Sequence, residues 1–127
     1  MPLTLTFLGE RLAIARFAPS APLPSWLPAS GFTSVTRTAD ELSIVCAETS
    51  VPQDATAERG WRAFRVEGPL DFALTGILAS VVAPLAEARI PVFAIATYDT
   101  DYVLVREARV AEAAIALRAA GFQVAGA

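Results

Sequence analysis

Two short stretches carry residue types from which a binding site could be built. Asp99 and Asp101 flank Thr100. Carboxylates this close repel one another unless solvent or a cation matches them, and a ligand ammonium or guanidinium would do so. A divalent metal is a poorer match, because two or three carboxylates without a histidine make a weak cage. Hairpin chemistry accounts for the same residues without any ligand, since aspartate bonds readily to turn backbone. The second stretch is Gly68, Pro69, Leu70, Asp71 and Phe72. It reads as a turn leading into a helix, whose first amides and positive dipole end attract a carboxylate. Gly68 would let a ligand approach the backbone, and Pro69 stiffens the turn. Asp71 also reads simply as an N-cap, a role contributing ~0.5–2 kcal/mol. The two readings are compatible, because a capping side chain leaves other amides open.

Catalysis has little to work with. The chain contains no histidine, the commonest general base near neutral pH and the commonest neutral metal ligand. Its single cysteine, Cys46, alternates with Leu42 and Ile44 and reads as strand packing, so neither a disulfide nor a nucleophile is expected. Gly68 is not part of a phosphate loop, because the Gly-Lys-Ser/Thr ending is absent. No enzyme activity, cofactor or metal is expected. The net charge is −3, from 13 acidic and 10 basic side chains, and the basic ones are scattered, which argues against nucleic acid. The N-terminus has no basic region before an apolar run. The longest apolar stretch, Ile77 to Ala86, is broken by Ser80 and Pro84 and is too short to span a bilayer. A cytoplasmic location and no membrane partner are the expectations.

The elements that must position these residues follow from periodicity. With 54% hydrophobic and 18% charged residues, the chain can bury a core. Leu3 to Leu8 alternates as a strand, and a hairpin with Arg11 to Phe17 is the simplest continuation. Pro19, Pro22, Pro24 and Pro28 forbid a long helix in the next stretch. Phe32 to Arg37 and Glu41 to Ala47 read as two strands, and Thr49 to Gly60 as a polar loop. Trp61 to Glu67 is a strand. A helix follows from Asp71 to about Ala88, with Leu74, Ile77, Leu78, Val81 and Leu85 as its apolar stripe and Pro84 as a kink. Pro91 to Thr97 and Asp101 to Arg106 are strands, Ala108 to Ala120 a helix ended by Gly121, and Phe122 to Ala125 a strand. That order is β-α-β-β-α-β, the ferredoxin-like motif. The first half echoes the second. Glu41 aligns with Asp101 and Val35 with Ile95 at an offset of 60, while Arg11 aligns with Trp61 at an offset of 50. The difference falls where the proline-rich stretch replaces a helix.

The run from Gly68 through Leu70, Asp71, Phe72 and Leu74, then Ala96-Thr97-Tyr98-Asp99-Thr100-Asp101-Tyr102, resembles a bacterial group of tandem ACT-domain proteins. Trp26, the run from Phe32 to Thr38, and Glu41 to Cys46 are similar to that group's first half. The pattern also resembles the ACT units of CASTOR-type amino-acid sensors, which look like a doubled version of this chain. The resemblance implies an α+β fold of two tandem ferredoxin-like (βαββαβ) ACT halves, 1–60 and 61–127, the first degenerate. It also implies a small effector, such as an amino acid, bound at an interface between ACT units. Because the chain has only two halves, a second chain would complete such a site, so a homodimer acting on an unidentified regulated protein is expected. An amino acid would set its α-carboxylate on the amides of Leu70, Asp71 and Phe72. Its cationic part would face Asp99 or Asp101, within a pocket formed by Gly68–Asp71 and Thr97–Asp101. A structural dimerisation module that binds no ligand is the other reading, and a filled apolar interface at those residues would favour it.

Overall fold

The computed structural model describes residues 3–68 and 75–127. Its internal contacts define two compact units, one made of Met1–Gly9 with Arg62–Ala127, the other of Glu10–Trp61. The first is therefore discontinuous in sequence.

The unit Glu10–Trp61 is built on β2 (Leu12–Phe17), β3 (Ser34–Arg37) and β4 (Leu42–Ala47), which follow β1 (Thr4–Phe7) along the chain. β4 pairs antiparallel with β3 on one side and β2 on the other. The beginning of β5 (Ala57–Val66) pairs with the other edge of β2. β5 starts four residues before the expected Trp61, because Ala57–Gly60 is strand where a polar loop was anticipated. Its register slips between Leu12 and Ile14, and Gly60 lies in that slip at φ 77°, a backbone setting that suits a glycine bulge. The core of this unit joins Ala13, Ala15, Leu42, Ile44, Cys46 and Val51. The proline-rich stretch is not a helix, and Trp26 and Leu27 from it pack on that core.

In the other unit the C-terminal end of β5 is followed by α1 (Ile77–Glu87), β6 (Phe93–Ala96), β7 (Asp101–Arg106), α2 (Val110–Ala119) and β8 (Gln123–Ala125). The strand order is β6-β7-β5-β1-β8. β1 pairs antiparallel with β5, Leu5 opposite Val66, and parallel with β8, Leu5 opposite Val124. The expected hairpin of Leu3–Leu8 with Arg11–Phe17 is thus corrected, and the first strand belongs with the second half of the chain rather than with 1–60. The reason is burial. Leu5 and Phe7 share a core with Phe64, Val66, Val81, Leu85, Val103, Val105 and Leu117, and the Phe7 and Phe64 rings lie 5.2 Å apart.

Helix α1 buries Val81 and Leu85, with Ile77 and Leu78 partly covered. It begins at Ile77 behind Gly76, which sits at φ 77°. The start expected at Asp71 and the stripe residue Leu74 lie outside the described residues. Both helices end in the same way. Phe122 N–H donates to the Leu117 carbonyl and Gly121 N–H to that of Arg118, with Gly121 at φ 100°. Ile90 N–H donates to the Leu85 carbonyl and Arg89 N–H to that of Ala86, with Arg89 at φ 58°. These pairs of bonds satisfy carbonyls that the last helical turn leaves open.

The internal repeat is visible element by element. The β3-β4 hairpin, closed by Thr38 and Glu41, and the short 3-10 turn Glu48–Ser50 have counterparts in β6-β7, closed by Thr97 and Thr100, and Glu107–Arg109. Leu42 corresponds to Asp101 and Ser34 to Phe93, so the repeat is one residue shorter than the offset of 60 drawn from sequence. Two helices are present in the second copy and none among the described residues of the first.

Candidate functional site

The end of β5 and the turn between β6 and β7 meet around a small cavity. Alternation along β5 turns Phe64 and Val66 into the core and leaves Arg65 partly exposed, with Glu67 beyond the strand's end. The Arg65 guanidinium makes a forked contact with Glu67: Nη2 lies 3.1 and 3.0 Å from the two carboxylate oxygens, and Nε 3.3 Å from one. Hydrogen bonds to Glu67 and then to the Tyr102 phenol hold Arg65 more firmly protonated than a free arginine. The Thr6 hydroxyl first, and Arg65 next, hold Glu67 below its usual pKa. Both groups stay charged at neutral pH and remain open to solvent.

The β6-β7 turn is fixed by threonines. Thr97 N–H and its hydroxyl each donate to the Thr100 carbonyl at 2.9 Å, and Thr100 N–H donates to the Thr97 hydroxyl at 3.3 Å. Thr100 is buried, and its hydroxyl donates to the Val66 carbonyl at 2.6 Å. That bond ties the turn to β5 and sets Asp99 near Arg65.

The cavity has a volume of about 190 Å³ and is lined by Arg65, Glu67, Gly68, Asp99, Thr100 and Tyr102. Three of the residues singled out from sequence, Gly68, Asp99 and Thr100, line it together. Thr97 braces the turn from outside the cavity, Tyr98 is 81% exposed, and Asp101 opens β7 opposite Ala96. Pro69, Leu70, Asp71 and Phe72 lie outside the described residues, so the expected carboxylate seat on the amides of Leu70, Asp71 and Phe72 falls there too.

Arg65, Glu67 and Tyr102 are the lining residues that sequence reasoning did not assign. The signal was present in the Arg65-Val66-Glu67 alternation, which sets two opposite charges at the end of a strand just before Gly68. Arg65 offers planar donors to a carboxylate. Asp99 has no hydrogen bond or ion pair among the described residues and offers acceptors to a cation. The cavity therefore presents both signs of charge, the requirement for holding a zwitterion. No group of three or more metal-ligating side chains occurs among the described residues, and none of the described helices is long and apolar enough to cross a membrane.

Comparison with known proteins gives the same fold. A family model described as the ACT domain matches residues 56–119, and a second model, of an N-terminal domain, matches residues 10–54. A solved protein of Agobacterium tumefaciens is 38% identical with a TM-score of 0.93, and the match covers 100% of this chain and 96% of that one. The Bos taurus protein named cytosolic arginine sensor for mTORC1 subunit 1 is 34% identical over 87 residues, 60% of this chain and 26% of that protein. The chain thus spans about a quarter of that relative. An aspartate kinase of Clostridium acetobutylicum shares the fold at 10% identity and a TM-score of 0.70, over 91% of this chain and 34% of that one.

Proposed function

This chain belongs to the ACT-domain family, and from that membership we propose that it is a regulatory module that binds a small amino acid between ACT units of two chains. The observation that carries the reading is the cavity at Arg65, Glu67, Gly68, Asp99, Thr100 and Tyr102, where the Arg65–Glu67 ion pair and a carboxylate with no partner among the described residues share a space of small-ligand size. The ligand's carboxylate lies against Arg65 and its ammonium against Asp99. Thr100 holds Asp99 in place through Val66. Similarity to a protein named as an arginine sensor supports amino acids as the ligand class. The absence of histidine from the chain supports a role without catalysis. The cavity is open to solvent, and a second copy of the chain covers it, so that binding and pairing are linked. Output passes to a separate regulated protein, in the cytoplasm, the setting that the relative's name gives for itself.

Calorimetry of the full chain against the twenty common amino acids tests this reading, with light scattering in parallel. A subset of amino acids should give heat, and Arg65→Gln and Asp99→Asn should each weaken that binding by tenfold or so. Added ligand should raise the dimeric fraction. Folded wild-type protein that yields no heat with any amino acid would overturn the sensor reading. If such protein is still dimeric, a structural pairing module takes its place.

A further inference from the structure

A second and larger cavity lies wholly within the unit Glu10–Trp61. Its volume is about 400 Å³, and Arg16, Phe17, Trp26, Asp54 and Thr56 are among its lining residues. Phe17 and Trp26 form its apolar wall, with ring centroids 5.9 Å apart and planes tilted by 48°. Both rings rest on the buried core of this unit, which fixes the wall from behind. The charged part comes from two other segments. Arg16 precedes Phe17 at the end of β2, and its main-chain N–H donates to the Thr56 carbonyl at 2.9 Å. Its guanidinium gives one bond, of 3.1 Å, to the Asp40 carbonyl, out of five N–H donors. Asp54 lies on the loop closed by the Ala55 N–H to Pro52 carbonyl bond of 3.1 Å. Arg16 and Asp54 form no ion pair with each other, and Asp54 has no hydrogen-bond partner among the described residues.

We propose that this cavity is a second ligand site, for an α-amino acid whose side chain is aromatic or large and apolar. Arg16 and Asp54 line one cavity without closing on each other, so a ligand carrying both charges completes both. The carboxylate goes to the guanidinium of Arg16 and the ammonium to Asp54. The side chain lies on the Phe17–Trp26 wall, where an aromatic ring gains tilted or offset contacts beyond its buried area. A simple cation is opposed by Arg16 and a simple anion by Asp54, so these two charges together select the zwitterion. A small polar side chain would leave the two rings uncovered. This inference is independent of the Arg65–Asp99 cavity, because no residue lines both.

The test is a titration of the isotope-labelled full chain with L-phenylalanine and L-leucine, followed by NMR, with L-serine as the control. The Trp26 indole N–H and the amides of Arg16, Asp54 and Ala55 should shift saturably with the first two and not with serine. Asp54→Asn and Arg16→Gln change exposed side chains and should leave the fold intact while weakening phenylalanine binding about tenfold each. Phenylalaninamide, which lacks the carboxylate, should bind weakly to wild type and lose nothing further in Arg16→Gln. Arg65→Gln should leave this binding unchanged. Shifts confined to Arg65, Asp99 and Tyr102, or affinities within twofold of wild type in both Asp54→Asn and Arg16→Gln, would overturn the proposal. So would the absence of any saturable shift at millimolar phenylalanine.

Discussion

Replacing Thr100 by valine removes one hydroxyl from a position where its loss can be followed closely. Thr100 is the only buried polar residue among those described, at 6% exposure, and its hydroxyl donates to the Val66 carbonyl at 2.6 Å. Valine keeps the branched shape, so little packing is lost. A net hydrogen bond contributes about 1 kcal/mol, and a buried acceptor left without its donor costs about 1–3 kcal/mol. The carbonyl keeps its lone pairs beside a new methyl group, so the expected loss for Thr100→Val is about 2 kcal/mol. Against a total stability of roughly 5–15 kcal/mol that is large, and Tm should fall by roughly 5–10 °C. Thr100→Ser is the control. It keeps the hydroxyl and loses one methyl, at a cost of about 0.8 kcal/mol. Urea unfolding followed by circular dichroism should therefore rank wild type above Thr100→Ser and Thr100→Val lowest, with similar slopes. The bonds between Thr97 and the Thr100 main chain remain in all three, so the hairpin itself should persist. A Thr100→Val midpoint equal to or above that of Thr100→Ser would show that the bond to Val66 does not stabilise the turn.

Arg89 ends α1 at φ 58°, where a side chain costs about 1–2 kcal/mol relative to glycine. Part of any gain from Arg89→Gly is offset by the freer unfolded chain, by about 0.4–1 kcal/mol. A thermal melt of Arg89→Gly should thus show a rise corresponding to up to about 1 kcal/mol, and a fall would refute the account of this helix end. Glu67 has its pKa lowered from 4.5 by the Thr6 hydroxyl and Arg65, so its contribution is present above that value and is lost as pH falls through the lower folded one. Both side chains of the pair are substantially exposed, so the effect is small and screened by salt. Melts across the acid limb at low ionic strength should show wild type losing slightly more than Glu67→Gln, and identical profiles would remove the pair from the stability of the chain.

The sequence by itself determined most of the local elements, because they are written in a period that their own residues repeat, whereas the start of β5 at Ala57 is not. Leu42, Ile44 and Cys46 alternate into a core, Val81 and Leu85 share a helix stripe, and Gly121 stops α2 in the left-handed conformation expected of it. The repeat was legible as well, but one residue out of step. In a strand a one-residue slip exchanges the two faces, and only the paired registers of β3 with β4 and β6 with β7 decide it. Tertiary structure alone placed β1. Thr4–Phe7 alternates as well for a hairpin with β2 as for its actual seat between β5 and β8, and the choice rests on Leu5 and Phe7 meeting Phe64 and Val66 from far along the chain. The site shows the same division. The turn residues Gly68, Asp99 and Thr100 announce themselves by type. Arg65 and Glu67 are joined to them by the pairing of β7 with β5 and by the Thr100 hydroxyl bond to the Val66 carbonyl, contacts between residues far apart in sequence.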